Sequence, residues 1–335
     1  MSCKKILLTG GAGYIGSHVV KLLGAHGYEL VILDNLVTGN AEAVLYGELV
    51  IGDVGDTELV SQLLHYHNID TVMHFAAHTC VPESVTNPLK YYHNNTCNSN
   101  MLLKCCQDAK VKRFIFSSTA AVYGMPQDGI ASEATPTIPI NPYGTSKLMT
   151  EWMLRDVSKA TEMTYVILRY FNVAGCDPEG KIGHSTPNST LLIKVACETA
   201  VGKRSYLSIF GTDFPTPDGT GVRDYIHVED LADAHLKALE YLITGGESIT
   251  LNCGYGHGYS VREVLAAVEH AHGASLPTCN EECRLGDPPK LIAAADQIRD
   301  RLGWEPRYDN LNFIAQTALN WEKKKLHQSA RLQHP

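Results

Sequence analysis

Short apolar runs alternate with helical stretches along the first half of the chain, and this alternation constrains the fold more than any other feature of the sequence. The strand-sized runs are Lys5–Thr9, Glu29–Leu33, Leu49–Gly52, Asp70–Ala77, Arg113–Ser117 and Tyr165–Arg169. The helical stretches between them are Gly16–His26, Thr57–His67, Tyr91–Ala109 and Pro142 to about Ala160. Strands that alternate with helices form a parallel sheet covered on both faces. The sequence therefore predicts an α/β protein with a doubly wound parallel sheet.

The alternation of strands and helices stops after Gly175. Gly- and Pro-rich loops follow at 176–187 and 211–221, with a predicted helix at Leu191–Val201 between them. A helical segment at Asp224–Leu242 and a strand at Ser248–Asn252 are expected to return to the sheet. We therefore predict a first domain of residues 1–174, joined by about 224–252. A smaller, discontinuous domain is expected to consist mainly of residues 175–335.

Composition narrows the class of partner. The chain has 335 residues, of which 44% are hydrophobic and 19% charged, which is typical of a globular protein and not of a disordered or fibrous one. The formal net charge is −8, and Lys and Arg do not cluster, so nucleic acid and anionic membranes are not expected partners. No apolar run approaches the ~20 residues of a membrane span, and the N-terminal run is too short for a signal peptide. We expect a cytoplasmic protein that binds a small molecule.

Ten cysteines are scattered without a repeated framework, which indicates free thiols in a reducing compartment. Cys279 and Cys283 form a CxxxC pair, and His65 and His67 an HxH pair. Neither pair has a second pair at zinc-site spacing. No metal site is predicted.

A glycine-rich turn follows the first predicted strand and opens the first helix. Gly10, Gly13 and Gly16 give the order GxxGxxG, which lets the backbone approach a pyrophosphate at the helix N-terminus. Asp34 ends the second strand, where a carboxylate accepts hydrogen bonds from the adenosine ribose hydroxyls and repels a 2′-phosphate. Asp53, after the third strand, is a candidate adenine contact, with a turn-forming role as its alternative. The pattern predicts a Rossmann-type sheet that binds NAD in preference to NADP.

Tyr143 and Lys147 form a YxxxK pair at the start of a predicted helix, with Asn141 as its cap and Pro142 in its first turn. Residues at i and i+4 share one helical face, so the two side chains can meet. A phenol titrates near 10, and a neighbouring ammonium stabilises the phenolate. We therefore expect Tyr143 to have a lowered pKa and to act as a base.

Longer stretches surround these motifs over nearly the full chain. They are TGGAGYIGSH at 9–18, LDN at 33–35, HFAA at 74–77, ESVTNPLKYYHNN at 83–95, FSSTAAVYG at 116–124, NPYGTSK at 141–147, RYFNVAG at 169–175, IFGTDFPTPDGTGVRDYIHVEDLADAH at 209–235 and RLGDPPKL at 284–291. In these stretches the chain resembles the extended short-chain dehydrogenase/reductase family, and within it the 4-epimerases of UDP-glucose and UDP-galactose.

The resemblance implies a reaction and its catalytic residues. Tyr143 would take the proton of the sugar 4-hydroxyl while the C4 hydride passes to NAD, and return of the hydride to the opposite face of the 4-keto sugar would invert C4. Lys147 would orient the nicotinamide ribose and tune Tyr143. The hydroxyl of Thr119 would complete the triad, with Ser118 as the next candidate. Ala120 and Ala121 stand where related 4,6-dehydratases carry an acidic pair, which disfavours a dehydratase.

The resemblance also implies the binding residues. Those expected at the cofactor are Gly10, Gly13, Tyr14, Ile15, Gly16, Asp34, Asn35, Asp53, Val54, Phe75, Ala76, Ala77, Asn94, Ser117, Tyr143, Lys147 and Tyr170. Those expected at the UDP-sugar are Thr119, Tyr143, Asn172, Phe210, Arg223, Arg284 and Asp287. The alternatives for these positions are helix capping for Asn94, surface ion pairing for the two arginines and core packing for Phe210.

Three departures from the family pattern leave alternatives open. Thr79 stands where relatives often carry a lysine. The usual substrate-contacting Asn or His is replaced by Leu191 or, with a shift of one residue, by Thr190. Leu291 occupies a position that resembles a gatekeeper for N-acetylated sugars, so the substrate is UDP-glucose and UDP-galactose or another UDP-sugar such as UDP-GlcNAc, UDP-glucuronate or a UDP-pentose.

A third class of function is a non-catalytic NAD-binding redox sensor, which the retained Tyr143 and Lys147 disfavour. In relatives the helices at 91–109 and 143–160 supply a dimer face. Here that face would contain Met101, Leu102, Leu148 and Trp152, with core packing as the alternative for these residues, and a homodimer is expected.

Overall fold

A computed structural model of the protein describes residues 5–284 and 287–333, so Leu285 and Gly286 of the RLGDPPKL stretch lie outside the described residues. The strands of the described part are β1 (Lys5–Thr9), β2 (Glu29–Asp34), β3 (Glu48–Ile51), β4 (Thr71–His74), β5 (Arg113–Thr119), β6 (Ile130–Ala131), β7 (Thr164–Tyr170), β8 (Asn172–Ala174), β9 (Leu207–Phe210), β10 (Val222–Arg223), β11 (Tyr225–His227), β12 (Ile249–Cys253), β13 (Tyr259–Ser260), β14 (Thr278–Glu281) and β15 (Lys290–Ala293).

Helices connect most of these strands. They are α1 (Tyr14–Ala25), α2 (Thr57–Tyr66), α3 (Val81–Thr86), α4 (Pro88–Tyr91), α5 (Asn98–Asp108), α6 (Pro142–Ala160), α7 (Leu192–Ala200), α8 (Val228–Ile243), α9 (Val261–His272), α10 (Asp296–Leu302) and α11 (Leu311–Gln333). A π-helical segment at Tyr92–Cys97 joins α4 to α5, and short 3₁₀ helices lie at Ala41–Ala43 and Ala120–Tyr123. Within the described chain, no helix is both long enough and apolar enough to cross a membrane.

A seven-stranded parallel sheet forms the centre of the molecule, in the order β12-β7-β5-β4-β1-β2-β3. The order reverses at β1, which lies between β4 and β2. This arrangement confirms the predicted doubly wound α/β fold. Ligands of such sheets bind at the carboxyl ends of the strands beside the reversal point.

Apolar side chains cover both faces of the sheet, as a parallel sheet requires. One core packs α1, α8 and α9 on one side, with Ile6, Val19 and Leu231 fully buried in it. A second core packs α2 and α5 on the other side, around residues such as Leu7 and Leu102. These two cores cover the faces of the sheet and leave its carboxyl edge for the ligand-binding site.

Three smaller sheets follow the main one. The order of the first is β13-β10-β15-β6, and β8 pairs with β11 and β9 with β14. Through these pairings, residues from 130–131, 222–223 and 290–293 become neighbours. The sequence alone did not indicate this sheet because its strands are only two to four residues long.

Three element predictions need correction. The stretch 91–109 is not one α-helix, because the π-helical turn at Tyr92–Cys97 interrupts it. The strand predicted at Asp70–Ala77 ends at His74. The helix predicted from Asp224 begins at Val228, because Tyr225–His227 form strand β11, which pairs with β8.

The four residues named for a dimer face or the core divide between these alternatives. Leu102 and Leu148 are 0% and 2% exposed and belong to the core. Met101 and Trp152 are 40% and 50% exposed, so these two remain candidates for an interface.

Candidate active site

The glycine-rich turn lies between the ends of β1 and β4 and the start of α1. Gly10 has a φ of +72°, and a Cβ on it would lie 2.5 Å from the backbone nitrogen of Ala76. A Cβ on Gly16 would lie 2.3 Å from the carbonyl oxygen of Gly10. Any side chain at these two positions would therefore push the turn apart.

This turn has the properties of a pyrophosphate cradle. Helix α1 begins at Tyr14 with Gly13 as its N-cap, and no side chain caps it. The first N–H groups of a helix lack intrahelical partners and carry a partial positive charge, which suits an anion. The bare backbone of the turn leaves room for that anion, so these residues fit a dinucleotide. Among the other predicted residues here, the Tyr14 hydroxyl donates to the Gly175 carbonyl at 2.6 Å, and Ile15 is half-buried.

Asp34 lies at the end of β2, as predicted, and holds the turn in place. Its Oδ2 accepts the N–H of Ala12 and its Oδ1 accepts the N–H of Leu36, both at 2.9 Å. Each carboxylate oxygen has a second lone pair that can accept another hydrogen bond. The turn-holding role of Asp34 is therefore present, and its ribose contact stays a prediction.

Asp53 connects three segments behind Asp34. Its Oδ1 accepts the N–H of Gly55 at 2.8 Å and the side chain of Asn98 at 3.1 Å, and its Oδ2 accepts the side chain of Asn35 at 2.8 Å. Val54 is buried beside it. The turn-forming role considered for Asp53 is thus present, and it fixes Asn35 next to the end of β2.

Residues after β4 close the other side of the cradle. The N–H groups of Phe75 and Ala76 donate to the carbonyl of Thr9 at 2.9 and 3.1 Å, and this brings the backbone of Ala76 against Gly10. Ala77 follows as a half-buried residue. Asn94 lies on the π-helical segment, and its side-chain nitrogen donates to Asn95 at 3.0 Å.

The YxxxK pair lies at the start of α6, over the end of β5. Asn141 caps the helix by accepting the N–H of Gly144 at 2.8 Å, and Pro142 occupies the first turn. The Tyr143 hydroxyl is hydrogen-bonded to the side chain of Thr119. Lys147 is 3% exposed, and its Nζ donates to the Ser117 carbonyl at 2.9 Å. The helix thus places both side chains against the last three residues of β5.

The electrostatics of this pair differ from the sequence-based prediction. Burial raises the pKa of Tyr143 above 10.0, and the hydrogen bond from Thr119 only partly opposes it. Burial also lowers the pKa of Lys147 to about 7. The predicted lowering of the Tyr143 pKa is therefore wrong, because burial dominates and the ammonium is directed to a backbone carbonyl.

The structure distinguishes the two candidate hydroxyls of β5. Thr119, 9% exposed, contacts Tyr143 as predicted, whereas Ser118 donates to Glu151 at 2.6 Å. The hydroxyls of Ser117 and Tyr170 are hydrogen-bonded to each other on the neighbouring strands β5 and β7. The assignment of Ser118 as an alternative to Thr119 is therefore not supported.

The ring of His235 on α8 lies near two residues expected at the cofactor. Its centroid is 4.9 Å from that of Phe75, which follows β4, and 6.0 Å from that of Tyr170, which ends β7. These two cofactor-binding candidates therefore share one neighbour.

A second group of predicted residues forms around two arginines. The Nε and Nη2 of Arg284 donate to Asp287 at 2.8 and 2.7 Å, and the guanidinium carbon lies 4.7 Å from the centroid of Phe210. Arg223 lies within electrostatic range of both Arg284 and Asp287, and burial lowers its pKa. Two cations face one carboxylate, which leaves a net positive charge that suits an anionic ligand.

Leu291 connects this group to the catalytic helix. It pairs with Arg223 in the register of β10 and β15, and it is 8% exposed in a cluster with Phe171 and Leu148. Leu148 directly follows Lys147. The gatekeeper-like position therefore lies between the arginine group and the YxxxK pair.

Asn172 lies on β8, where its N–H donates to the Asp224 carbonyl at 2.9 Å. It lines a cavity together with Tyr14 and Leu191. Leu191 lines this cavity and Thr190 does not, while both residues are exposed, so the choice between them stays a prediction.

The sequence analysis missed several buried polar residues behind the site. Glu151 and Arg169 are 0% and 2% exposed and paired with each other. The signal for Glu151 was its spacing of i+4 from Lys147 on the buried side of α6. Groups of three or more potential metal-binding side chains are absent from the described ranges.

Comparisons with known proteins agree with this geometry. Residues 6–254 match the model of the NAD dependent epimerase/dehydratase family. The UDP-glucose 4-epimerase of Azospirillum brasilense is 54% identical over 320 residues, 95% of this chain and 92% of that protein.

Solved structures agree as well. The UDP-glucose 4-epimerase of Bifidobacterium longum in complex with NAD+ and UDP superposes with a TM-score of 0.92 at 38% identity, over 96% of this chain and 99% of that one. The UDP-Glc/GlcNAc 4-epimerase of Campylobacter jejuni gives a TM-score of 0.84 at 47% identity, over 96% of this chain and 99% of that one. From its site geometry and its family match, the chain belongs to the NAD dependent epimerase/dehydratase family.

Proposed function

We propose that this chain interconverts UDP-galactose and UDP-glucose by inverting C4 of the sugar through transient oxidation to a 4-keto sugar. The observation that supports this proposal most directly is the YxxxK pair, which contacts the end of β5 through Thr119 and the Ser117 carbonyl. The high identity to the Azospirillum brasilense UDP-glucose 4-epimerase supports the substrate.

The cofactor would be held by the residues of the glycine-rich turn and the strand ends around it. Gly10, Gly13 and Gly16 would receive the pyrophosphate, and Asp34 the adenosine ribose. NAD, when bound, supplies the acceptor and donor of the hydride at C4 of the sugar. Tyr170 and Phe171 would border its nicotinamide end, as the family resemblance implies, and Phe75 would contact the cofactor nearby, since Phe75 and Tyr170 share His235 as a neighbour.

Tyr143 is the proposed acid and base of the reaction. Its phenol would take the proton of the 4-hydroxyl and return it later, with Thr119 holding the phenol oxygen in place. Since burial raises the pKa of Tyr143, its ionisation requires a nearby positive charge. Lys147, one turn further along α6, would supply one when it is protonated and its Nζ turns from the Ser117 carbonyl toward the phenol. Positioning of these groups, and not a covalent nucleophile, carries the chemistry.

The arginine group is the proposed diphosphate and uridine site. Arg223 and Arg284 supply forked donors for phosphate oxygens, and Asp287 orients Arg284 through two N–H groups. Arg284 covers one face of the Phe210 ring, and Phe210, which is 37% exposed, would pack near the uracil base. Asn172 would contact the diphosphate-sugar from the other side.

A second candidate substrate is UDP-GlcNAc. The relative from Campylobacter jejuni, which acts on both UDP-Glc and UDP-GlcNAc, is 47% identical to this chain. Leu291 is the residue that would decide between the two, since it packs with Phe171 and Leu148 near the catalytic pair. A leucine is larger than the smallest side chains and smaller than tyrosine, so its size alone does not decide between the two substrates and product analysis must.

These assignments divide the chain into two proposed binding domains. Residues 1–174, with the returning segment of about 224–252, would form the NAD-binding domain, and residues 175–335 mainly the UDP-sugar domain. The protein would act in the cytoplasm, since the described cysteines carry free thiols, a state that a reducing compartment favours.

The chain would also form a homodimer. Exposed apolar side chains of neighbouring helices provide the face, and they are Val85, Leu89, Met101, Met149 and Trp152. Light scattering should give a mass near twice 36.7 kDa, and Trp152→Glu should reduce it to that of one chain.

Product analysis tests the proposed function. The purified protein, incubated with UDP-galactose without added NAD, should form UDP-glucose, and parallel incubations with UDP-GlcNAc and UDP-xylose define its range. A Tyr143→Phe variant is the matched control. If the wild-type protein forms no UDP-glucose even with added NAD, the proposal is wrong.

A further inference from the structure

Helix α6 carries a third buried polar residue in line with the catalytic pair. Tyr143, Lys147 and Glu151 follow one another at intervals of four, which places them in one row along the helix surface. Glu151 is 0% exposed. An unpaired carboxylate at such a place is costly, so its partners define what it does.

The carboxylate of Glu151 accepts four hydrogen bonds. Ser118 donates to Oε1 at 2.6 Å, and Arg169 donates to Oε1 from Nε at 2.9 Å and to Oε2 from Nη2 at 2.5 Å. Arg155, on the next turn of α6, donates to Oε2 at 3.0 Å from the partly exposed side. The acidic group is therefore fully paired.

Ser118 and Arg169 are themselves register partners on the adjacent strands β5 and β7. The Glu151 carboxylate on α6 thus binds β5 and β7 at one pair of register partners. Arg169 also donates to the Tyr123 hydroxyl at 3.0 Å, and that hydroxyl donates to Asn252 of β12 at 2.6 Å. The network ties the helix to three neighbouring strands.

The residues on either side of these partners contact the catalytic pair. Ser117 and Thr119 flank Ser118 and bind Lys147 and Tyr143. A shift or rotation of α6 relative to β5 would therefore change all three contacts together. Buried ion pairs contribute little net stability but can specify one arrangement out of several.

We propose that Glu151, with Ser118 and Arg169, is a positioning site that fixes α6 against the ends of β5 and β7 and so sets the catalytic pair. This inference rests on the proposed function of that pair. Glu151 acts through Tyr143 and Lys147 and contacts neither reactant.

The test compares variants that alter this network by one hydrogen bond. Ser118→Val and Ser118→Thr have nearly the same shape, and only threonine keeps the hydroxyl for Glu151. Arg155→Ala is the control, because it also removes one bond to Glu151 but its other partner, Tyr165, lies at the amino end of β7.

We expect Ser118→Val to lower kcat for UDP-galactose by about tenfold with KM within about twofold, because small displacements of reacting groups cost rate and not binding. Ser118→Thr should restore kcat to within about threefold of the wild type, and Arg155→Ala should change it by less than about twofold. Equal kcat in the Thr and Val variants would overturn the proposal. So would an Arg155→Ala loss as large as that of Ser118→Val.

Amide hydrogen exchange of residues 143–151 in the NAD-bound protein separates this inference from the proposed function. Exchange should rise in Ser118→Val and stay unchanged in Ser118→Thr, whatever the reaction catalysed. If the wild type lacks epimerase activity but this exchange pattern holds, only the proposed function fails. An identical exchange rate in both variants would disprove the positioning role.

Discussion

Replacing Lys147 with methionine is expected to stabilise the NAD-free protein near pH 6 while removing most of its turnover. Burial lowers the pKa of Lys147 from 10.5 to about 7. One pKa unit corresponds to about 1.36 kcal/mol, so the difference of about 3.5 between these two pKa values corresponds to about 5 kcal/mol. This is the free-energy cost of keeping the ammonium in its buried place, and methionine of similar size does not incur it.

Part of this gain is offset by lost contacts. Lys147 donates to the Ser117 carbonyl at 2.9 Å and lies 5.0 Å from the Phe116 ring centroid. Leaving a buried carbonyl unpaired costs about 1–3 kcal/mol, and the cation–π contact contributes about 1 kcal/mol. The net stabilisation expected at pH 6 is therefore about 1–3 kcal/mol.

The pH dependence provides a second, independent signature. Below pH 7 Lys147 is protonated in both the folded and the unfolded state, so its burial cost is fully present. Between the folded pKa of about 7 and the unfolded value of 10.5, the unfolded chain binds a proton that the folded chain does not, and stability rises with pH. From pH 6 to pH 9 the wild type should gain about 2.7 kcal/mol relative to Lys147→Met.

Urea denaturation of the NAD-free proteins at pH 6 and pH 9, followed by tryptophan fluorescence, measures both effects. Lys159→Met is the matched control, because Lys159 lies on the same helix with 80% of its side chain exposed. A Lys147→Met variant that is less stable than the wild type at pH 6 would refute the reasoning. So would a wild type whose stability changes with pH in parallel with that of the variant.

Three further variants test the proposed roles. Tyr143→Phe should lower kcat by about a thousandfold or more with little change in the UDP-galactose KM, since it removes the acid and base but little volume; a near-normal kcat would contradict this role. Asp34→Ala should weaken NAD binding and reduce the preference over NADP in calorimetric titrations, and an unchanged ratio would exclude the ribose contact. Arg284→Met should raise the UDP-galactose KM by about 10–100-fold with kcat within about threefold, because it removes a forked donor to the diphosphate; a loss confined to kcat would argue against that contact.

The fold and the cofactor side of the site were predictable from local patterns. Strand-sized apolar runs gave the sheet, and the strand-end positions of Gly10 and Asp34 followed from parallel connectivity, whereas Thr119 was implied only by the family resemblance. In each case one strand and its following turn were sufficient. The observed strands β2 and β5 end within one or two residues of the predicted ends.

The π-helical segment shows where local patterns were insufficient. Asn95, within it, donates to Ser146, which is 51 residues away along the chain, and its carbonyl accepts the hydroxyls of Ser99 and Thr150 at 2.5 and 3.1 Å. A regular α-helix would use this carbonyl for an internal bond. Because its partners come from α5 and α6, no local periodicity signals the change.

The pKa values of the catalytic pair illustrate a second limit. The spacing of Tyr143 and Lys147 correctly indicated a shared helical face. The direction of the Tyr143 pKa shift, however, depends on its burial and on where the Lys147 ammonium is directed, and both are set by β5 and not by α6. A charge interaction inferred from helix spacing alone therefore omits the larger effect, which is desolvation.

The consecutive hydroxyls of Ser118 and Thr119 connect these points. Both residues end the same strand, both are buried, and either type of side chain can donate to a phenol. Their partners differ because alternation along the strand directs neighbouring side chains to opposite sides. On its side of the strand, the Ser118 hydroxyl donates to the carboxylate of Glu151. Strand alternation thus determines which hydroxyl remains for Tyr143, and Glu151 satisfies the other one on the opposite side of β5. A change at Glu151 should therefore act on the phenol through the placement of α6 and not through a contact with Ser118.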